Sequence, residues 1–585
     1  MFSYLPPVKH MRYVLQDVLS ATRRLQGEAG FDELDDDLVR QVLDQAGRFA
    51  SEVLFPLNAS GDRQGCSFDN GEVRTPDGYA GAYRQFQEAG WAALACDPAH
   101  GGQGLPHVLN CALQEMMISA NHAWTMYPGL LHGAYACLKE HGSEELKRRY
   151  LPRLVSGEWL ATMCLTEPQA GSDVGLLRTR AVATDDGGYH ISGSKIFISG
   201  GEHDLTENIV HLVLARIPDA PAGSRGISLF VVPKIRPDGS RNNVLCTGIE
   251  HKMGIRGSAT CSLDFEQASG WLVGEPHRGL AAMFVMMNAA RMLVGAQGLG
   301  IAEAVHQNAE RYARERVQAK AVVRPPERGG HAADPIILHP PVRRLLATQR
   351  ALVEGGRMML YWSGLMLDLA ERSPDAARRE RLGQLLALVT PVVKAFLTQK
   401  GFDGASAALQ VYGGYGVITE TGVEQYLRDA RVTMIYEGTN EIQAIDLVVR
   451  KIIGDGGASL GLLLRDIADT ARAERAGPLG RYAAALATLA DDLGAIGKRL
   501  STPGATTPEL PHWIAQDVLQ LVGHGVMGWL WLRSARASLD DRDADTGFHD
   551  ERLATAAHYF AYVFPETAAS LAIVRQCLAG DGVAP

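Results

Sequence analysis

The spacing of hydrophobic residues changes twice along this chain, and this change constrains the fold more than any other feature. From about residue 13 to residue 160, apolar side chains recur at helical spacing. Between Thr162 and Glu275, short β-branched runs bounded by Gly and Pro replace that spacing, and after Gly279 it returns. The chain is therefore predicted to be mainly α-helical with a central β domain.

The same pattern divides the chain into four predicted segments. The cluster Gly454-Asp455-Gly456-Gly457 is typical of a linker and separates the last two segments. The predicted segments are an N-terminal helical domain (1–160), a middle β domain (161–280), a second helical domain (281–454) and a C-terminal helical extension (455–585).

Turn and capping residues predict where several elements begin. Only helices are expected before residue 160, with one of them opened by Ser143. Ser373-Pro374 is expected to start the long apolar helix that follows. The predicted strands are residues 189–199, which follow an Asp-Asp-Gly-Gly turn, and residues 211–217 and 226–233.

Composition excludes several classes of protein. With 585 residues, 46% of them hydrophobic, the chain can bury a large core. Its 57 basic residues are outnumbered by 66 acidic ones, which argues against nucleic acid or an anionic membrane as the main partner. The eight cysteines show neither a C-x-x-C motif nor metal-ligand spacing, so no metal site is predicted and a reducing, cytoplasmic location is expected. Neither a signal peptide nor a membrane span is expected.

One carboxylate lies just before a predicted helix start, in Tyr436-Glu437-Gly438-Thr439. Thr439 or Asn440 can cap this helix, with Gln443 reaching back, and apolar residues then recur at helical spacing until Gly454. Gly438 leaves no side chain beside the carboxylate. Glu437 is therefore predicted to be a positioned general base. The alternative is a capping or solvated glutamate.

Three shorter patterns carry less information. The loop Met163–Gly175 could present hydroxyls and backbone N–H groups to a phosphate or a flat ring, or it could be a tight interdomain turn. No Rossmann fingerprint and no P-loop occurs in the sequence. Gly457-Ala458-Ser459-Leu460-Gly461 matches a nucleophile elbow, but no strand is predicted before it, so the match is interpreted as chance.

An ordered set of motifs between residues 97 and 454 resembles the acyl-CoA dehydrogenase family. The motifs lie at residues 163–175, 195–199, 252–257, 314–316, 409–416 and 436–439. The insertion Ala321–Asp334 and the C-terminal extension resemble the longer bacterial branch of that family. The resemblance implies a helical domain, a β-barrel-like domain and a helical bundle. It further implies FAD-dependent α,β-dehydrogenation of an acyl-CoA thioester to trans-2-enoyl-CoA.

In such a reaction Glu437 would take the α proton, a hydride would pass from the β carbon to flavin N5, and electron-transfer flavoprotein would accept the electrons. The resemblance implies that FAD lies in a cleft between the β domain and the second helical domain. The implied substrate contacts are Ser172, Arg291, Tyr436 and Gly438. The implied FAD contacts are Leu165, Thr166, Ser172, Phe197, Ser199, Arg316, Gln318, His339, Gln410, Gly413, Gly414, Thr439 and Glu441.

Some relatives place the base on an earlier helix, where this chain has Asn288-Ala289-Ala290-Arg291 and no carboxylate. Relatives that oxidise nitroalkanes have aspartate at the base position. The alternatives left open are an acyl-CoA oxidase that uses oxygen and a noncatalytic acyl-CoA-binding or assembly protein. The residues that line the acyl pocket in relatives, Trp124, Tyr127, Gly129 and Tyr135, could equally belong to the core. The C-terminal extension resembles appendages that fill the space of a second subunit pair, so a homodimer is predicted.

Overall fold

The computed structural model describes residues 2–580. These residues form two compact units, each assembled from separate stretches of chain. We call the first the helical unit; it comprises the residues up to Gly47, His107–Ser119 and the chain from Val294 onward. The second, which we call the barrel unit, comprises Arg48–Pro106 and Ala120–Leu293. Helices α6 and α9, whose bounds follow, contribute residues to both units.

The α-helices, in chain order, account for most of the described residues. Their bounds are α1 (Val8–Tyr13), α2 (Ala21–Ala29), α3 (Asp36–Arg48), α4 (Asn58–Gln64), α5 (Tyr79–Glu88), α6 (His107–Thr125), α7 (Leu131–His141), α8 (Glu144–Val155), α9 (Gly279–Glu315), α10 (Pro340–Arg372), α11 (Ala376–Tyr412), α12 (Val423–Thr433), α13 (Asn440–Ile445), α14 (Ala458–Glu474), α15 (Gly480–Ser501), α16 (Leu510–Trp513), α17 (Ala515–Asp540), α18 (Thr546–His558) and α19 (Thr567–Ala579). A π-helical segment, Asp446–Ile453, continues α13.

The strands form one hairpin and one larger sheet, both within the barrel unit. Their bounds are β1 (Ser67–Asp69), β2 (Glu72–Arg74), β3 (Trp159–Cys164), β4 (Arg180–Ala183), β5 (Tyr189–Ser199), β6 (Asn208–Arg216), β7 (Ile227–Pro233), β8 (Val244–Ile249) and β9 (Thr260–Val273). The larger sheet runs β3-β6-β4-β5-β9-β7, with β8 added on β9. Because β7 also pairs with β6, the sheet closes on itself. The predicted class, mainly α with a central barrel-like β domain, is confirmed.

Two local predictions were wrong. The expectation of helices alone before residue 160 missed the hairpin β1–β2, whose turn is Asn70-Gly71 with φ of 49° and 85°. This dipeptide is the strongest short-range hairpin signal, because both residues adopt the left-handed conformation easily. The start of α11 was also misplaced. Ser373 caps the end of α10, and Asp375 is the N-cap of α11, accepting hydrogen bonds from the N–H groups of residues 377 and 378.

The N-terminal segment packs against the C-terminal helices inside the helical unit. The Tyr13 hydroxyl donates to the Ser534 carbonyl oxygen at 2.6 Å and lies 2.7 Å from the Ser538 hydroxyl. Arg533 donates to the carbonyl oxygen of Val18 at 2.7 Å. The first helices of the chain therefore share a core with α17, which lies more than five hundred residues later.

A buried cationic side chain joins the helix that carries it to two other helices of this unit. The guanidinium of Arg357, on α10, donates to Glu115 on α6 at 2.6 and 2.8 Å and also pairs with Glu303 on α9. The Tyr361 hydroxyl donates to the second oxygen of Glu115 at 2.7 Å. Since all these groups are buried, they must satisfy one another, which fixes the register of the three helices.

Two helical stretches reach membrane-spanning length with few charged residues. Gly279–Glu315 and Ala376–Val417 are long and apolar enough by length and composition. The most apolar windows of these stretches are 50% and 72% buried within the protein, respectively. Buried core helices meet the same criterion, and the second stretch contains α11, which packs on α10 and α12.

Candidate active site

The predicted base occupies a backbone conformation that disfavours its side chain. Glu437 has φ of 55° and Gly438 has φ of 82°, so two consecutive residues are left-handed. A left-handed residue other than glycine costs about 1–2 kcal/mol, so it persists where the surroundings impose it. Glu437 is half-buried. These two residues form a sharp bend in the backbone just before α13 begins.

Side chains on both sides of the bend hold it in place. Of the two candidate caps of α13, Thr439 is the one that the structure shows, because its hydroxyl accepts from the N–H of Ile442 at 3.3 Å. Gln443 reaches back and donates to the Glu437 carbonyl oxygen at 2.8 Å. The next carbonyl, that of Gly438, accepts from the buried Lys394 amine on α11 at 2.7 Å. Hydrogen bonds therefore fix both peptide groups that follow the Glu437 α-carbon.

Tyr436 is anchored separately. Its hydroxyl donates to the Gln297 side-chain oxygen on α9 at 2.5 Å. Burial raises the pKa of the Tyr436 phenol well above its usual value, and the negative charge of Glu437 raises it further. The phenol therefore stays protonated beside the carboxylate.

A second group of predicted residues gathers around the insertion in the helical unit. Val317 and Pro335 form a bridge at the base of this insertion, and the His339 ring nitrogen lies 2.8 Å from the Gln318 carbonyl oxygen. The Arg316 guanidinium lies 5.7 Å from the centre of the Tyr415 ring. The structure therefore brings Arg316, Gln318 and His339 together, beside the loop that carries the two predicted glycines.

That glycine loop has room for a ligand. Gly413 is left-handed with φ of 60°, and a Cβ at Gly413 or Gly414 would meet no atom within 4 Å. Both glycines and Gln410 are exposed. Open space next to an arginine that can pair with phosphate oxygens suits the diphosphate and adenosine parts of a dinucleotide. Glu441 lies exposed in the first turn of α13.

In the barrel unit, a buried ion pair shapes the loop after β3. Glu167 accepts from the Lys195 amine at 2.8 Å, from the Thr179 hydroxyl at 2.6 Å and from the N–H of Arg178 at 2.7 Å. Burial alone would raise the pKa of Glu167, but the Lys195 charge and these hydrogen bonds overcome it and lower the pKa to about 2. Lys195 also donates to the Leu165 carbonyl oxygen at 3.0 Å.

The carbonyl oxygen of Thr166 accepts from the N–H of Ile196 at 2.9 Å. The loop after β3 and strand β5 are therefore held side by side, which places Leu165 and Thr166 next to the segment that carries Phe197 and Ser199. Ser172 lies exposed in the same loop.

Phe197 sits on a bulge of β5. The pairing of β5 with β9 shifts register between Lys195 and Ile198, and Phe197 has φ of 59°. This large aromatic side chain is 58% exposed, although it lies within a strand. A strained backbone conformation and an exposed aromatic side chain both lower the stability of the fold. Residues of this kind cluster at ligand sites.

The remaining predicted residues in the barrel unit are more deeply buried. Arg291 is 6% exposed on α9. Trp124 and Tyr127 are buried, and the Tyr127 hydroxyl donates to the Gly257 carbonyl oxygen at 3.1 Å and accepts from the N–H of Ala259 at 2.9 Å. Tyr127 therefore supports the 252–257 motif, as a core residue does.

The sequence alone assigns no role to Lys394 or to the Lys195–Glu167 pair. A sequence signal existed for Lys394, which is the single charge within the apolar run Leu385–Leu397 of α11. No comparable signal marks the Lys195–Glu167 pair, whose members lie 28 residues apart.

The other patterns are structural. Ser459, in the elbow-like motif, lies in the first turn of α14, and its N–H is capped by Asp455 at 2.9 Å. The segment before it is π-helical. A nucleophile elbow follows a strand, so the match is a chance one. All eight cysteines are free thiols. Within residues 2–580, no cluster of three or more His, Cys, Asp or Glu side chains could hold a metal ion.

Nearly the whole chain is similar to known proteins. Family models match in order: the N-terminal, middle and C-terminal domains of acyl-CoA dehydrogenase at residues 37–158, 162–268 and 277–453, and an "acetyl-CoA dehydrogenase C-terminal like" domain at 463–579. A 3-methylmercaptopropionyl-CoA dehydrogenase from Ruegeria pomeroyi is 42% identical over 582 residues, covering 97% of each chain.

Two solved structures share the fold at low identity. One is Caenorhabditis elegans ACDH-11 in complex with C11-CoA, with a TM-score of 0.76 and 19% identity, covering 99% of this chain and 92% of that one. The other is a Bacillus anthracis acyl-CoA dehydrogenase complexed with FAD, with a TM-score of 0.74 and 20% identity, covering 93% and 89%.

Proposed function

Because this chain belongs to the acyl-CoA dehydrogenase family, we propose that it oxidises an acyl-CoA thioester to the trans-2-enoyl-CoA with Glu437 as the general base. The protein is an oxidoreductase of that family, and its cofactor is FAD. One observation supports Glu437 above all: a half-buried carboxylate is held in a left-handed bend by hydrogen bonds to both following carbonyls.

FAD, when bound, supplies the hydride acceptor. On this proposal the diphosphate pairs with Arg316, while Gln318 and His339 flank it and the open space at Gly413, Gly414 and Gln410 takes the adenosine part. The flavin ring would lie against Phe197 and Ser199, with Leu165, Thr166, Ser172, Thr439 and Glu441 around it. Exposure of Phe197 and the empty space at the glycines support this assignment.

The protein's own chemistry is proton removal. Glu437 takes the proton from the carbon next to the thioester carbonyl, and such positioned bases contribute roughly 10²–10⁴ in rate. Its backbone N–H donates to the thioester oxygen as negative charge develops there. Substrate that covers the half-buried carboxylate removes water from it and strengthens it as a base. Arg291, Ser172, Tyr436 and Gly438 contact the substrate on this proposal.

Several further properties are proposals of the same kind. The electron acceptor is electron-transfer flavoprotein, the protein is a cytoplasmic homodimer, and its reaction belongs to lipid metabolism, as an early step of fatty acid β-oxidation. The division into domains at residues 160, 280 and 454 is supported by the bounds of the matched families. We propose no nucleic-acid partner and no membrane-spanning segment.

Titration of the purified flavoprotein under anaerobic conditions tests the function. Acyl-CoAs of graded length and 3-methylmercaptopropionyl-CoA, chosen because the Ruegeria pomeroyi relative carries that name, should bleach the flavin absorbance. Glu437→Gln should retain flavin and bind the thioester but lose bleaching by roughly 10²–10⁴ in rate.

A protein without flavin, or a Glu437→Gln variant that bleaches at the wild-type rate, would contradict the proposal. Reoxidation of the reduced protein by ferrocenium or by electron-transfer flavoprotein is expected to be fast, and reoxidation by oxygen slow. The reverse order would identify an acyl-CoA oxidase.

A further inference from the structure

A lysine lies fully buried in the middle of the apolar helix α11. Lys394 is 0% exposed, and the residues around it, Val393, Ala395 and Phe396, are also fully buried. A lysine in such surroundings requires hydrogen-bond acceptors, because burying an unpaired amine is strongly unfavourable. The hydrogen-bond partners of Lys394 therefore indicate its role.

Those partners lie in the bend that presents the base. The Lys394 amine donates to the Gly438 carbonyl oxygen at 2.7 Å and to the Asn440 side-chain oxygen at 3.0 Å. Asn440 is 3% exposed and is itself tied to α11, since its amide donates to the Ala395 carbonyl oxygen at 3.1 Å. The Thr398 hydroxyl, one turn along α11, also donates to the Asn440 oxygen at 3.2 Å.

A hydrogen bond to the Gly438 carbonyl oxygen can limit the rotation of the peptide group that follows Gly438. Glycine has little conformational preference of its own, so its peptide group turns easily unless something holds it. A turn of that peptide would re-aim the preceding residue, Glu437. The Lys394 hydrogen bond holds the peptide from a rigid, buried helix, whereas the Gln443 hydrogen bond comes from the short helix that the bend itself begins.

We propose that Lys394 is a positioning residue for the reaction: by binding the Gly438 carbonyl, it fixes the direction in which Glu437 meets the substrate α-carbon. This inference rests on the proposed role of Glu437. Lys394 itself contacts neither substrate nor cofactor on this proposal. Misplacing a catalytic group by about 1 Å can cost roughly 10²-fold in rate, so the expected effect is large for a residue outside the site.

Exchange of the substrate α-proton for deuterium, followed by NMR in D₂O, reports the action of the base directly. Lys394→Met keeps an unbranched, apolar side chain but removes the amine, and with it the hydrogen bonds to Gly438 and Asn440. We expect exchange to slow by roughly 10²-fold, with unchanged flavin content and unchanged affinity for the acyl-CoA. The kcat for dehydrogenation should fall in parallel, while KM stays the same.

Lys400→Met is the matched control. Lys400 lies on the same helix and loses an ion pair with Glu566 at 2.7 Å, but its partner lies in the C-terminal helices rather than in the bend. Its exchange rate should equal that of the wild type. Equal exchange rates for Lys394→Met and the wild type would overturn the inference.

Should Lys394→Met fail to fold or lose flavin, Lys394→Gln decides the question. This polar change keeps a hydrogen-bond donor in the buried position but shortens the side chain, so that it no longer spans the distance to the Gly438 carbonyl oxygen. A several-fold slower exchange at full flavin content supports the inference, and wild-type exchange refutes it. A wild-type protein that neither exchanges the α-proton nor bleaches with any acyl-CoA would instead refute the proposed function itself.

Discussion

At the scale of single residues, the conformation of Glu437 is the most informative observation. A glutamate in a left-handed conformation is unfavourable by about 1–2 kcal/mol, yet here hydrogen bonds from Gln443 and Lys394 hold it there. Such local strain lowers the stability of the fold and is typical of residues whose side-chain orientation is needed for function. The glycine that follows shares this constraint, and it can be tested without touching the carboxylate.

Gly438→Ala should impair the base without removing it. A Cβ at this position would lie 2.7 Å from the Gln443 side-chain nitrogen, and alanine disfavours φ of +82°. We expect kcat to fall by roughly 10–10²-fold while the flavin content remains normal, measured by steady-state kinetics with a ferrocenium acceptor. Gly461→Ala is the control, since Gly461 lies in a regular helix with no close contact below 3.5 Å. Unchanged kcat in Gly438→Ala would show that the bend tolerates movement.

At the scale of elements, the Lys195–Glu167 ion pair joins the loop after β3 to β5. Removing one partner of a buried pair leaves the other charge uncompensated and typically costs about 3–5 kcal/mol. Glu167→Gln should therefore lower the melting temperature of the barrel unit clearly, as measured by differential scanning calorimetry. Glu158→Gln, which breaks an exposed pair with Arg153, should change it little.

The same pair predicts the direction of the pH dependence. The pKa of Glu167 is lowered to about 2 in the folded protein, so its stabilising effect is complete above about pH 5 and is lost as the pH falls toward 2. The difference in stability between wild type and Glu167→Gln should therefore shrink over that window. A difference that stays constant down to pH 2 would contradict the assigned ion pair.

The two candidate caps of α11 can also be separated. Asp375 accepts from two N–H groups, at 2.9 and 3.3 Å, so Asp375→Ala should cost about 1 kcal/mol of unfolding free energy. Ser373→Ala serves as the comparison, because Ser373 ends α10 instead. Denaturant unfolding of the two variants measures the difference, and a larger loss in Ser373→Ala would restore the original cap assignment.

Elements were predictable from sequence where local chemistry determines them. The strand at residues 189–199 was predicted correctly, and Thr439 was one of the two candidate caps of α13, because alternation, turns and capping act over a few residues. The hairpin at Asn70-Gly71 also has a local signal, because both residues adopt the left-handed conformation easily. The partners of Lys394 and Glu167 could be identified only in three dimensions, since they lie 44 and 28 residues away.

At the scale of the whole molecule, an exposed apolar stretch follows the glycine loop. Tyr415, Val417 and Ile418 are 49%, 74% and 41% exposed, which is unusual for large apolar side chains next to one another. A second copy of the chain that covered this stretch would also enclose the space at Gly413 and Gly414. The proposed homodimer therefore has a surface available in the helical unit.

Light scattering should give a mass twice the 63.2 kDa of the chain. Val417→Glu places a charge in the exposed stretch and should shift the protein toward monomer and weaken flavin retention. Val182→Glu, on an exposed strand position of the barrel unit, is the matched control. A wild-type monomer, or a tetramer insensitive to Val417→Glu, would contradict the assignment.

The contact between Tyr13 and Ser534 has a consequence for biosynthesis. These residues are 521 positions apart, so a ribosome that adds about 5–20 residues per second makes the second roughly 30–100 s after the first. Within this interval the barrel unit, which ends at Leu293, is completed. The N-terminal helices also pack on α10, but until α17 is made they lack the part of their docking surface that α17 supplies. The apolar side chains that pack on α17 therefore lack this partner until residue 534 and its neighbours have been made.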